Sequence, residues 1–195
     1  MTAFRKPQVA LTSKAAPFAI RAERAVDVTM REALLDASFG EDRHDRTCQR
    51  LRDGRAPAAG LALSAVREGT LVGTVRLWHV SAGGRPALVL GPLAVDPACR
   101  ELGIGAALMQ QALAAARARG HSAVILLGDA PYYARFGFSA EKTGALMLPG
   151  PFERDRLLAI EFEAGALDGA EGMIVPTGAA LLKRRVVRPL QAHAA

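Results

Sequence analysis

The sequence predicts a mixed α/β domain. Two nearly continuous apolar runs, PALVLGPLAV (86–95) and AVILLG (123–128), read as strands buried on both faces. Between them Ile104, Leu108, Met109, Ala112, Leu113 and Ala116 recur at helical spacing, with Gln110 and Arg117 opposite. Upstream, LALSAVREG and TLVGTVRLWHV are β-rich and meet at Glu68-Gly69, a hairpin signal. Strands, then strand–helix–strand, then more strands make a mixed sheet.

In chain order, residues 1–16 are expected to be a flexible lead-in and 17–190 a single domain. FAIRAER (18–24) alternates apolar and polar residues, as a half-buried strand does. Asp27 is placed to cap a helix running to Phe39, with Leu34 and Leu35 on its apolar face. CQRLRDG (48–54) reads as a short helix stopped by Gly54, and GRAPAAG as a loop. SAGGRP is a turn, Pro97 ends the first buried strand, and Gly120 closes the central helix. Residues 131–136 read as a helical turn, and GFSAEK and RLLAIEFEAG (156–165) as later strands.

Composition narrows the function. No apolar run approaches the ~18 residues of a membrane span, and MTAFRKPQVALTSKAAPF lacks the apolar core of a secretory signal. Cys48 and Cys99 are too few for a disulfide framework or a thiolate zinc site, so a reducing, cytoplasmic setting and no metal are expected. Cys48 has no His or Asn partner in a recognisable motif and reads as an ordinary core or surface residue. The net charge of +6 admits nucleic acid as a partner. The basic residues are scattered, however, and mostly arginine. The one dense cluster, Lys183-Arg184-Arg185 with Arg188, has no interleaved aromatics for base stacking, which argues against nucleic acid.

The stretch CRELGIGAALMQQAL (99–113) carries the chemistry. A Walker A loop needs a Lys after its glycines, and none follows Gly103 and Gly105. A dinucleotide fingerprint needs Gly or Ala where Leu108 stands. What remains is a strand, a loop and a glycine-opened helix N-terminus. That is an anion site suited to a pyrophosphate, with Arg100 adding a charge. Equally, the glycines serve close helix–strand packing.

Arg100-x-x-Gly103-x-Gly105, directly after Leu93-Ala94-Val95, resembles the acetyl-CoA signature R/Q-x-x-G-x-G/A of the GNAT (GCN5-related) N-acetyltransferases. Tyr132-Tyr133-Ala134-Arg135-Phe136-Gly137-Phe138 resembles that family's Y-x-x-x-G-F element. With GPLAV, LLGD and LPGPFERDRLLAIE, the likeness is to the YhbS-like subgroup and covers roughly residues 18–165. Glu101 and Leu102 depart from it. They stand where the family often has Gly and a basic residue, so a phosphate partner is lost and a negative charge is added.

The resemblance implies the GNAT fold, a mostly antiparallel mixed sheet with a splayed central strand pair flanked by helices. It implies acetyl-CoA as co-substrate and a small-molecule or protein amine as acceptor, attacking the thioester directly. A non-catalytic acyl-CoA sensor on the same fold is the alternative, and a homodimer is open. Backbone amides of residues 102–106 (Leu102, Gly103, Ile104, Gly105, Ala106), with Arg100 and Glu101 beside them, would face the pyrophosphate. Strand 93–95 would splay from 123–128 and offer its amides, notably that of Val95, to the pantetheine arm and acetyl carbonyl. Tyr133 would sit by the thioester sulfur. Tyr132 reads as packing, and Phe136 and Phe138 as core. His79, Asp96, Asp129 and Glu68 are candidate bases, none assigned; Asp129 also follows a strand facing the coenzyme. The acceptor pocket would come from the first two helices, the hairpin near 69–85 and the C-terminal strands.

Overall fold

The computed structural model describes residues 18–181. The lead-in expected at 1–16 and the cluster Lys183, Arg184, Arg185 and Arg188 lie outside them. One mixed sheet organises the chain. Its strands are β1 (Ala19–Ala22), β2 (Ala62–Arg67), β3 (Thr70–Ala82), β4 (Arg85–Val95), β5 (Ala123–Leu127), β6 (Leu146–Met147), β7 (Leu157–Glu161) and β8 (Gly172–Pro176). The main order is β1-β2-β3-β4-β5-β7, with β8 beside the end of β3 and β6 beside β8. Neighbours are antiparallel except β4–β5 and β6–β8. The helices are α1 (Val28–Phe39), α2 (Ile104–Ala118) and the short α3 (Ala130–Ala134).

The two hairpins form where expected. Glu68 and Gly69 (φ +50° and +81°) and Gly83 and Gly84 (φ +54° and +87°) adopt the left-handed conformations that two-residue turns require. CQRLRDG is a 3-10 turn at Thr47–Leu51 rather than an α-helix. GFSAEK supplies no strand; Ser139 makes a single isolated bridge to Ala159. β6 and β8 were not foreseen.

β4 is buried on both faces. Leu88 and Leu90 join a core beneath α2 with Ile104, Leu108, Met109 and Ala112. Ala87 and Val89 join a second core on the opposite face with Trp78, Ile125 and Leu157. At Gly91-Pro92 the β3–β4 register shifts. Leu90 pairs Leu77 and Leu93 pairs Val75, so two residues face the single Arg76. This bulge inverts the alternation. Leu93 and Val95 now turn to the α2 core, and Ala94 packs with Leu34, Leu35 and Leu71 beneath α1.

Asp27 precedes α1 but its carboxylate caps nothing downstream. It turns back, accepting from Arg21 at 2.6 and 2.8 Å and from the Arg24 amide at 2.8 Å. The site is buried, and the Arg21 hydrogen bonds hold the carboxyl well below the usual carboxylate range. Asp27→Asn is therefore expected to destabilise the fold by roughly 3 kcal/mol, a fall of about 6–12 °C in Tm. A depressed folded pKa contributes stability above the ordinary carboxylate value and loses it as pH falls. The gap between variant and wild type should therefore narrow below about pH 4. Thermal unfolding at pH 7 and at acid pH checks this; equal Tm values at pH 7 contradict it.

Candidate active site

β4 and β5 pair only at Leu88–Val124 and Val89–Ile125. Beyond that point β5 stays bound to β7 through Leu127 while β4 follows β3, and the two strands part. The Asp96 amide donates to Val72 O at 2.9 Å. Backbone groups alternate sides along an antiparallel strand, so the amides of Leu93 and Val95 point away from β3 into the wedge.

The wedge opens into a cleft of about 1120 Å³. One wall is Leu90–Val95 with Leu126, Leu127 and Gly128. At one end the cleft meets the start of α2. Gly103 is left-handed (φ +73°, ψ +10°) and N-caps that helix. The first helical hydrogen bond runs from Ala107 N to Gly103 O, 3.0 Å, so the amides of Ile104, Gly105 and Ala106 lack helical partners. A methyl group built on Gly103 meets nothing within 4 Å. On Gly105 it would lie 3.3 Å from Tyr132 Oη and 3.6 Å from Val95 Cγ2. Glycine thus serves different ends at the two positions: backbone conformation at 103, close approach at 105.

Of the residues singled out in the sequence, Leu93, Ala94, Val95, Arg100, Glu101, Gly103, Gly105, Ala106, Asp129 and Tyr133 line this cleft. Leu102 and Ile104 do not: Leu102 packs against the core and Ile104 is fully buried in it. Among the candidate bases only Asp129 reaches the cleft, and its carboxylate accepts from the Tyr132 amide at 3.3 Å, capping α3. Asp96 caps a 3-10 turn through the Ala98 amide, His79 lies tilted against His121 with ring centroids 5.3 Å apart, and Glu68 sits in the hairpin turn. Neither the hairpin near 69–85 nor β8 lines the cleft, contrary to expectation; β8 covers the far end of β3.

Tyr133 packs edge-on against Tyr132 at 4.9 Å and near Phe138 at 6.1 Å. A methyl group on Gly128 would fall 2.2 Å from its Cε2, so the ring lies flush on that backbone. Burial, reinforced by Tyr132 and Asp129, pushes its phenol up to about 12. Tyr132 packs as expected and also lines the cleft, with the Arg135 guanidinium over its ring at 4.0 Å.

The opposite wall was not foreseen as an arginine-rich surface. The end of α1 brings Ser38 and Phe39, the following 3-10 turns bring Arg43, Arg46, Cys48 and Arg52, and the loop before β7 brings Phe152, Glu153 and Arg156. The Ser38 hydroxyl is buried with no partner among the described residues. Burial raises the Cys48 thiol, which therefore stays protonated. Among the described residues no group of three or more His, Cys, Asp or Glu is placed to hold a metal, and no helix is long and apolar enough to cross a membrane.

Comparison with known proteins agrees with this geometry. Residues 27–138 match the model of the acetyltransferase (GNAT) family. The chain is 30% identical over 157 residues to the uncharacterized N-acetyltransferase YhbS of Escherichia coli (strain K12), covering 80% of this chain and 93% of that one. The crystal structure of Escherichia coli YhbS in complex with CoA superposes with a TM-score of 0.72 at 29% identity, covering 85% of this chain and 92% of that one. A GNAT family acetyltransferase from Brucella melitensis, in complex with acetyl-CoA, gives a TM-score of 0.56 at 28% identity, over 78% of this chain and 99% of that one. On sequence and structure alike, this chain belongs to the GNAT acetyltransferase family.

Proposed function

We propose that the chain moves an acetyl group from acetyl-CoA to a primary amine by direct attack on the thioester, in a cytoplasmic setting. The observation that carries this is the wedge. Two strand amides, Leu93 and Val95, are left without a sheet partner and open directly onto the glycine-built N-terminus of α2. Relatives crystallised with CoA and acetyl-CoA support the same coenzyme.

Acetyl-CoA would supply the activated acetyl group. The free amides of Ile104, Gly105 and Ala106, with the positive end of α2, suit its pyrophosphate. Arg100 and Arg135 add charge there, and Arg135 stands in for the basic residue missing at Glu101-Leu102. The Leu93 and Val95 amides suit the pantetheine arm, and an amide aimed at the acetyl carbonyl stabilises the oxygen as it gains charge. Tyr133 donates a hydrogen bond to the sulfur as it leaves. Full transfer from a phenol near 12 to a thiolate of pKa ~8.5 is uphill by roughly 5 kcal/mol, so the proton stays largely on the phenol. Asp129 is engaged in capping α3, and we assign no side-chain base.

Thermal shift with acetyl-CoA, followed by free-thiol release with an amine panel, tests the reading. Absence of stabilisation by acetyl-CoA overturns it. Stabilisation without thiol release from any amine favours the acyl-CoA sensor. The raised phenol predicts the pH profile as well. Tyr133 keeps its proton across the working range, so kcat/KM should climb as the acceptor amine deprotonates and show no Tyr133-dependent descent below about pH 10. A descending limb near pH 8–9 that Tyr133→Phe removes would take the phenol out of this state.

A further inference from the structure

Six arginines line the cleft, and they differ in what holds them. Arg100 and Arg135 sit at the α2 end. Arg43 is tied to Glu32 at 2.5 Å and Asp36 at 2.7 Å. Arg156 has Glu153 at 3.6 Å. Arg46 donates to Phe39 O at 2.9 Å and lies over the Phe39 ring. Arg52, among the described residues, donates only its Nε, to Cys48 O at 3.0 Å. Among the described residues neither Arg46 nor Arg52 forms an ion pair. The acid next to Arg52, Asp53, is exposed and engaged by Gln49 at 2.7 Å.

The position of Arg52 sets it apart. Its Nη2 comes within 3.8 Å of where a side chain on Gly91 would begin. Gly91 lies at the β4 bulge, two residues past the last β4–β5 pair, near the apex of the wedge. The glycine-opened end of α2 borders the other end of that strand, beside Val95. An acyl chain laid along the wedge from the α2 end runs toward Gly91. Arg52 therefore stands beyond the acyl end, on the acceptor's side, away from the coenzyme's phosphates. Burial, with Arg43 nearby, draws its guanidinium below the ordinary arginine value. Asp53 offsets this charge only from an exposed position, and a partly buried cation so weakly compensated is costly unless something else supplies charge. Its two Nη groups form a fork that matches a carboxylate or phosphate.

We propose that the acceptor is a small amine carrying a carboxylate or phosphate close to its nitrogen, held by the Nη fork of Arg52 in a cleft that Arg46 and Arg156 also line. The proposal rests on the acetyltransferase reading and assigns that reaction a substrate class. A lysine side chain on a protein surface carries no such anion at a fixed short distance, which is why the acceptor is a small molecule.

The test is a paired panel read by free thiol: amino acids against their carboxamides, and O-phosphoethanolamine against ethanolamine. The neutral member of each pair has the less basic amine and so more free amine at pH 7. Intrinsic reactivity thus favours it, and any preference for the anion comes from the protein. In wild type the anionic member should win in kcat/KM by at least tenfold in one series, and which series responds tells carboxylate from phosphate. Arg52→Gln should collapse that ratio to within about twofold, chiefly through KM for the anionic member, and Arg52→Lys should restore part of it. Retained thermal stabilisation of Arg52→Gln by acetyl-CoA shows that the fold and coenzyme site survive. Neutral amines acetylated as well as their anionic partners, or a ratio indifferent to Arg52→Gln, overturn this inference and leave the transferase standing. Acetyl-CoA binding with no thiol release from any member overturns both.

Discussion

Gly105→Glu is expected to weaken coenzyme binding by at least about 100-fold, or some 2.7 kcal/mol, while Gly105→Ala loses only a few-fold. Gly105 lies in the first turn of α2, and its backbone is one any residue adopts. Conformational strain therefore plays no part. A methyl group there meets Tyr132 Oη at 3.3 Å, a contact relieved by a shift of a few tenths of an ångström. A glutamate adds bulk and a negative charge where the pyrophosphate is proposed to sit. The same charge favours the helix itself, because acids in a first turn interact well with the helix dipole. Lost binding with unchanged Tm is thus the signature. Calorimetry with CoA reads it, and full affinity in Gly105→Glu would make the glycine purely architectural.

Tyr133→Phe should lower kcat by roughly 100-fold, with acetyl-CoA affinity within about threefold. Gly128→Ala should do nearly as much without touching the phenol. The added methyl would fall 2.2 and 2.8 Å from the ring's Cε2 and Cδ2 and 3.2 Å from Leu126 Cδ1. Tyr132 and Phe138 confine the ring on its other sides. The hydroxyl must therefore move, and misplacement by about 1 Å is worth roughly 100-fold. Since both changes act on one group, the double variant should be no worse than Tyr133→Phe alone. Single-turnover thiol release measures all three. Turnover of Tyr133→Phe within twofold of wild type removes the phenol from the chemistry, and additive losses place Gly128 in some other role.

The strand–helix–strand unit was legible because its signals are local. Burial on two faces makes a strand continuously apolar, and α2 shows its period in Ile104, Leu108, Met109, Ala112 and Ala116. What escaped was decided at a distance. β8 exists because the end of β3 has no β2 partner beyond Arg76; Gly172–Pro176 alone gives no apolar–polar alternation, because the exposed Met173 and Val175 are as apolar as the buried Ile174. The bulge at Gly91-Pro92 was invisible because apolar residues on both sides of a strand hide a change of parity. Asp27 read as a helix cap because its spacing to the helix is right, but Arg21 claims the carboxylate from the strand before it. The same limit applies to the site. Gly103, Gly105 and Tyr133 fall within motifs, whereas Arg46 and Arg52 flank one 3-10 turn and meet Arg156, about a hundred residues away, only in the fold.

The parting of β4 and β5 leaves an edge inside the sheet. Exposed strand edges usually lie at a protein's periphery, where they invite unwanted pairing. Here the open backbone lies at the centre, flanked by strands on either side. A slender chain bearing its own amide groups is the natural occupant. In the proposed binding mode the coenzyme would act as a surrogate strand as much as a substrate, completing the sheet each time it binds and reopening it each time it leaves.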